Sequence, residues 1–78
     1  MIPEPKPEQL YKLIWHYEED DKISDGDVVG TYTIVRDDKT NEIIFIDFKV
    51  HGVLSVIRFN SKHVVSILEY NYEKISKL

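Results

Sequence analysis

Apolar side chains near the start of the chain recur at the spacing of an amphipathic helix. Their i, i+3, i+4, i+7 pattern is formed by Leu10, Leu13, Ile14 and Tyr17. Pro7 suits the first position of a helix, because the N–H that proline lacks would have no partner there. Pro3 and Pro5 hold their neighbours extended. The pattern therefore predicts an extended arm over residues 1–6 and a helix over residues 7–19.

After a polar loop over residues 20–27, the apolar positions change to the patterns of short strands. Strands are predicted over residues 28–36, 42–50 and 53–59. Turn-forming residues separate them: the sequence Asp-Asp-Lys-Thr-Asn at 37–41, and a glycine at position 52.

The last apolar segment, residues 63–72, fits two structures. Its β-branched and aromatic residues favour a strand. A helix with Asn60 or Ser61 as its N-cap is the alternative. We prefer the strand, followed by a tail over residues 73–78.

Together these elements predict an α+β fold, in which the N-terminal helix packs on a curved, four-stranded antiparallel sheet over residues 28–72. The second strand begins with apolar residues on both faces, from Ile43 to Ile46, so both faces need cover. A sheet curled into a small barrel provides that cover, and so does a dimer contact. The order of elements resembles that of SH3-like or Sm-like barrels. The predicted core consists of Leu10, Leu13, Ile14, Tyr17, Ile34, Ile44, Ile46, Phe48, Ile57, Phe59 and Leu68.

The size and composition of the chain indicate one small domain. It has 78 residues and no cysteine, so disulfides and thiolate metal sites are excluded. The N-terminal residues lack the basic and apolar regions of a signal peptide, and no apolar run is long enough to span a membrane, so we expect a cytoplasmic protein. Alanine is absent while isoleucine, lysine, aspartate and tyrosine are abundant, a composition that suggests a viral or mobile-element source.

The net charge of −4 is unevenly distributed. Residues 1–27 contain eight acidic residues and three lysines, whereas residues 28–78 contain six acidic and seven basic residues. An acidic segment repels nucleic acid and attracts basic protein surfaces, although it also serves solubility alone.

Aromatic and acidic residues on the predicted helix form the leading candidate for a protein-binding site. Tyr11 and Trp15 are four residues apart and fall beside the apolar stripe, where they would stay partly exposed. Next to them lie four consecutive acids, Glu18, Glu19, Asp20 and Asp21. In the alternative interpretation, Trp15 closes the edge of the core.

A second candidate site would bind nucleic acid through the more basic strands. Its cations are Arg36, Lys49, Arg58 and Lys62, and Tyr70 and Tyr72 would stack on bases. Cross-strand packing of the tyrosines is the preferred interpretation.

Catalytic and metal-binding patterns have little support. His16, His51 and His63 do not have the spacing of a zinc motif. The segment that starts at Asp21 resembles a calcium loop only in part, because Ile23 and Tyr32 occupy ligand positions. No serine lies in a hydrolase motif. We therefore expect no enzyme activity, no cofactor and no metal.

Three functions are compatible with the sequence. The leading hypothesis is a non-catalytic protein-binding module, such as a small inhibitor or regulator encoded by a virus or mobile element, with a partner that has a basic surface. The alternatives are a nucleic-acid-binding β-barrel and a self-assembling structural subunit. A small core without disulfides also favours a homodimer over a monomer.

Overall fold

The computed structural model describes residues 2–71 as a single antiparallel sheet of five strands. In chain order the strands are β1 (Leu10–Glu19), β2 (Lys22–Arg36), β3 (Ile43–Val50), β4 (Val56–Asn60) and β5 (Val64–Tyr70). They are arranged in the sheet as β4-β3-β2-β1-β5, and a 3-10 turn, Ser61–His63, joins β4 to β5. This range contains no α-helix, and therefore no helix long and apolar enough to span a membrane. The predicted tail at 73–78 lies outside the described residues.

The predicted helix over residues 7–19 is wrong, and the α+β fold class with it, because most of this segment is strand β1. The apolar residues of the segment fit both periodicities. Leu10, Leu13, Ile14 and Tyr17 form a stripe at helical spacing. Tyr11, Leu13, Trp15 and Tyr17 also alternate as in a strand, and aromatic residues favour strands. Pro7 is also compatible with two structures, since proline suits both the first turn of a helix and the second position of a β-turn. Here it occupies the second position of a turn, in which Glu8 has a φ of 63° and the Gln9 N–H donates to the Lys6 carbonyl at 3.3 Å.

The polar segment 20–27 is a loop only at its first two residues. Asp20, with a φ of 54°, and Asp21 form a tight turn, after which the chain pairs with β1 from Glu19↔Lys22 onward. Polarity on both faces suggested a loop, but a two-stranded hairpin that leaves the sheet is also polar on both faces.

The remaining elements lie close to their predicted positions. In the turn at 37–41, the Asp37 carboxylate accepts the N–H groups of Lys39 and Thr40 at 2.8 and 3.0 Å. β3 begins one residue later than predicted. β4 begins at Val56 rather than 53, because Gly52 has a φ of 78° and the turn extends to Ser55. The last segment is the preferred strand.

The sheet is strongly curled, because the two edge strands are neighbours in sequence. Four interstrand spacings would separate β4 from β5 by about 19 Å in a flat sheet. The link through Ser61–His63 spans at most about 14 Å from Asn60 to Val64. Trp15 of β1 accordingly contacts Phe59 of β4 across the interior, with ring centroids 5.4 Å apart. This form is compatible with the small barrel that the sequence suggested, built from five strands instead of four plus a helix.

The core lies on the inner face of this curled sheet. Its fully buried members are Tyr11, Leu13, Tyr32, Ile46, Phe48 and Ile67. Leu13, Ile46 and Phe48 were predicted, and Ile34 and Phe59 pack against the cluster as expected. The other predicted core residues are only partly buried or are exposed, namely Leu10, Ile14, Tyr17, Ile44, Ile57 and Leu68. A strand turns alternate residues outward, so Leu68 faces solvent while Ile67 is buried.

Two glycines on the inner face of β2 allow the curvature. A Cβ at Gly30 would lie 1.9 Å from the carbonyl oxygen of Lys49, so β2 and β3 approach more closely there than any other residue permits. A Cβ at Gly26 would lie 2.7 Å from the indole of Trp15, which occupies the space above that glycine. The space for a Cβ is therefore filled by backbone atoms at Gly30 and by a side chain at Gly26.

The N-terminal arm runs across the inner face and helps to close it. The Tyr32 hydroxyl donates to the Pro3 carbonyl, and the Lys6 N–H donates to the Tyr11 hydroxyl at 3.0 Å. Ion pairs of 2.8 Å anchor its flanks, one between Glu4 and Arg36 and the other between Lys6 and Glu69. The arm that proline predicted therefore covers buried tyrosines.

We expect Gly30→Ala to destabilise the fold by about 3 kcal/mol, the upper end of overpacking costs, because the new methyl meets backbone. Gly26→Ala is the matched control and should cost about 1 kcal/mol, because the Trp15 ring can shift. Urea unfolding followed by Trp15 fluorescence measures both free energies. Equal losses at the two positions would contradict the role assigned to the Gly30 contact.

Stability should also fall steeply in alkali. Burial, with smaller contributions from Tyr11 and Glu4, raises the pKa of Tyr32 to about 12, whereas an unfolded tyrosine has a pKa of about 10. The neutral phenol therefore contributes stability that is complete below pH 10 and lost as pH rises through about 12.

Tyr32→Phe should abolish this part of the alkaline decline, and at neutral pH it should cost about 1 kcal/mol for the lost hydrogen bond to Pro3. The free energy of unfolding is measured from pH 8 to 12 for the wild type, for Tyr32→Phe and for Tyr17→Phe, which keeps the Pro3 bond. Identical curves for the wild type and Tyr32→Phe would refute the assignment.

Candidate protein-binding surface

The β1–β2 hairpin extends beyond the rest of the sheet. β5 pairs with β1 only up to Trp15, and β3 pairs with β2 only from Gly30 onward. Among the residues that the structure describes, residues 16–25, which we call the acidic hairpin, therefore pair only with each other, from His16↔Asp25 to Glu19↔Lys22. Both faces of this two-stranded segment are open to solvent except at Tyr17.

The acidic hairpin carries five carboxylates, and Lys22 is its only basic residue apart from His16. Its formal charge of −4 with neutral histidine equals the net charge of the whole chain. The carboxylates belong to Glu18, Glu19, Asp20, Asp21 and Asp25. All five residues are exposed, so the charge faces solvent and is available to a partner.

Alternation of side chains divides the acidic hairpin into two surfaces. One surface carries His16, Glu18, Ile23 and Asp25, and its histidine lies between the two carboxylates, with nitrogen–oxygen distances of 3.5 Å to Glu18 and 3.8 Å to Asp25. Ile23 is 64% exposed and gives this surface an apolar contact point.

The other surface of the acidic hairpin borders a cleft. The cleft has a volume of about 570 Å³ and is lined by Tyr17, Glu19, Asp20, Asp21 and Lys22. Three carboxylates beside an aromatic ring form a favourable environment for a lysine or arginine side chain.

Aromatic packing holds the base of the acidic hairpin in place. Tyr17 meets His63 of the 3-10 turn edge-on, with ring centroids 4.6 Å apart. Trp15 lies between Gly26 and Phe59. The tip therefore projects from a fixed base, although within residues 2–71 no third strand pairs with it.

The structure separates the residues that the sequence grouped as a protein-binding site. Tyr11 is 1% exposed and meets Tyr32 in the core at a ring distance of 5.0 Å, so it does not form a surface pair with Trp15. Trp15 is partly buried at the core edge, as in the alternative interpretation. Glu18, Glu19, Asp20 and Asp21 do lie together at the hairpin tip.

Sequence reasoning missed His16, Ile23 and Asp25 as parts of this surface. Their proximity depends on hairpin pairing, which places Asp25 opposite His16 and Ile23 opposite Glu18. The alternation of apolar residues from Tyr11 to Tyr17 was the signal that could have found them. It indicates a strand, and the segment that follows a strand after a short turn pairs with it as a hairpin.

The residues proposed for nucleic-acid binding are dispersed over several elements. Arg36 ends β2 and pairs with Glu4, and Arg58 of β4 makes two hydrogen bonds with Asp47, at 2.7 and 2.9 Å. The carboxylate of Asp47 thereby raises the pKa of Arg58, and the guanidinium lowers that of Asp47. The remaining members are Lys49 on β3, Lys62 in the 3-10 turn, Tyr70 on β5, and Tyr72, which lies outside the described residues.

No metal-binding cluster is present among residues 2–71, where no three histidine, aspartate or glutamate side chains are placed to hold an ion. Comparison with known proteins gives no functional assignment: no family model, no curated protein and no solved structure matches this chain.

The acidic hairpin should open more readily than the sheet from which it projects. Its amides pair with one neighbouring strand and are solvent-exposed, so we expect an opening free energy at least about 1 kcal/mol below that of amides in the core. Hydrogen exchange by NMR compares residues 17–25 with Leu13 and Val28 on the same two strands. Equal protection along both strands would show that the hairpin is as stable as the core.

Proposed function

We propose that this protein is a non-catalytic protein-binding module whose acidic hairpin docks on the basic surface of another protein. The observation that carries the proposal is the concentration of five exposed carboxylates on a hairpin with a fixed base. Electrostatic complementarity speeds association and selects partners by charge.

A paired hairpin is better suited to this task than a disordered acidic tail. Its backbone is already ordered, so binding immobilises mainly side chains and costs less entropy. Ile23 on one surface of the hairpin and Tyr17 on the other each add apolar contact next to the charges, which supports a defined docking site over general attraction to cations. Occlusion of a basic site on a cytoplasmic partner, as by a small viral or mobile-element inhibitor or regulator, is the simplest role for such a module.

The nucleic-acid alternative has weaker support. Two of its four cations already pair with carboxylates of the same chain, Arg36 with Glu4 and Arg58 with Asp47. Those pairs would have to be exchanged for phosphate contacts, while the acidic hairpin would repel the backbone of the nucleic acid.

The test compares two charge reversals of equal size. Glu18→Lys with Glu19→Lys alters the acidic hairpin, whereas Asp38→Lys with Glu42→Lys alters exposed residues at the β2–β3 turn. Tagged wild type and both variants are used to capture partners from native extract with and without nuclease, and affinity for the recovered protein is then titrated. Trp15 fluorescence confirms that each variant is folded.

We expect a partner that survives nuclease and binds the hairpin variant at least about tenfold more weakly, while the turn variant binds like the wild type. Equal losses of affinity in both variants would show that the net charge of the protein, and not the acidic hairpin, determines binding. Full binding by the hairpin variant would place the interface elsewhere, and loss of all bound protein with nuclease would favour the nucleic-acid alternative.

A further inference from the structure

A cleft of about 390 Å³, which we call the β3-turn cleft, lies where β1 begins and β3 ends. Its walls include the aliphatic side chains of Leu10, Val50, Val53 and Leu54, and no acidic residue lines it. Val53 is 52% exposed and Leu54 101%, so an apolar ligand would cover surface that the fold itself leaves in water. The volume lies within the range of about 300–1,000 Å³ that is typical of small-molecule sites.

Lys49 places an ammonium group at this cleft without a carboxylate to pair with it. Its neighbours across the sheet are Thr31 on β2 and Val56 on β4, and neither is acidic. Asp47 lies on the same side of β3, two residues earlier, but its carboxylate is bound by Arg58 at 2.7 and 2.9 Å. Among the described residues the Lys49 ammonium therefore forms no ion pair, and it is exposed.

The carboxylates of the acidic hairpin are remote from the Lys49 ammonium. Lys49 pairs with Thr31, and Asp25, the last residue of the acidic hairpin, lies six residues before Thr31 on the same strand. In a strand this separation is about 20 Å, more than twice the Debye length of about 8 Å at physiological ionic strength. The charge of the hairpin is therefore screened at the β3-turn cleft, where Lys49 carries the only formal charge among the lining residues when His51 is neutral.

We propose that the β3-turn cleft binds a small molecule with an aliphatic body and a single carboxylate. The aliphatic body lies against Leu10, Val53 and Leu54, and the carboxylate accepts hydrogen bonds from the Lys49 ammonium. An apolar wall next to one unpaired cation selects for both parts of such a ligand, because neither water nor a cation satisfies the two together. The proposal is independent of the acidic hairpin, whose residues do not line this cleft.

Sodium octanoate is the probe that tests the proposal, and octylammonium chloride, with the same aliphatic chain and the opposite charge, is the matched control ligand. Amide shifts of the whole chain are followed by NMR as each ligand is added to about 10 mM. Octanoate should shift the amides of residues 49–54 in a saturable way, with a dissociation constant of about 0.1–1 mM, the range expected for a ligand of this size. Octylammonium should bind there at least about tenfold more weakly, because Lys49 repels it.

Two substitutions separate the charge from the apolar wall. Lys49→Met keeps the aliphatic length of the side chain and removes its charge, and it should weaken octanoate binding about fivefold. Leu54→Ser removes apolar contact and should weaken the binding of octanoate by a similar factor. Both side chains are exposed, so their replacement leaves the core intact. The matched controls are Lys39→Met in the β2–β3 turn and Val65→Ser on β5, which do not line the cleft and should bind octanoate like the wild type.

Three results would each overturn the proposal. The first is the absence of saturable shifts at residues 49–54 with octanoate. The second is equal affinity for octanoate and octylammonium, which would show that the aliphatic chain binds without recognition of its charge. The third is unchanged octanoate binding by Lys49→Met. None of these results bears on partner binding by the acidic hairpin, which is measured separately.

Discussion

Close approach of two backbones at Gly30 is the constraint on which the shape of this protein depends. The Lys49 carbonyl occupies the space that a Cβ at Gly30 would need, and this contact lies where β2 changes from pairing mainly with β1 to pairing with β3. A fifteen-residue strand can serve both halves of the sheet only if it bends between them. The bend brings β4 towards β5, so three residues are enough to connect the edges.

Several contacts elsewhere in the molecule follow from that curvature. Trp15 reaches Phe59 because β1 and β4 face each other across the interior, and Gly26 provides room for the indole. Tyr11 and Tyr32 pack edge-on beneath the N-terminal arm, which satisfies the Tyr32 hydroxyl through Pro3. A chain of this length has few residues with which to close a core, so aromatic side chains and a short arm supply the cover that a helix would provide in an α+β domain.

Features that depend on neighbouring residues were predictable from the sequence, and features that depend on distant pairing were not. The turn at 37–41 forms because the Asp37 carboxylate binds amides two and three residues away. β1 could not be identified in the same way, because its apolar residues satisfy both periodicities and the choice depends on the partner strand, β2. The exposure of Glu18 to Asp21 was foreseeable from charge alone. The burial of Tyr11 was not foreseeable, because it depends on which alternate residues of β1 face the interior of the sheet.

The distribution of charge explains why the acidic hairpin is separate from the exposed aliphatic residues Val53, Leu54, Val56 and Ile57. A curled sheet has a limited inner face, and carboxylates cannot occupy it without partners. The acids therefore lie on a hairpin that extends past the neighbouring strands, where both of its faces are hydrated. Exposure of the aliphatic side chains near β4 to water costs free energy, and an apolar surface packed on them would remove that cost. One chain of 78 residues thus exposes two chemically different groups of side chains, one acidic and one aliphatic.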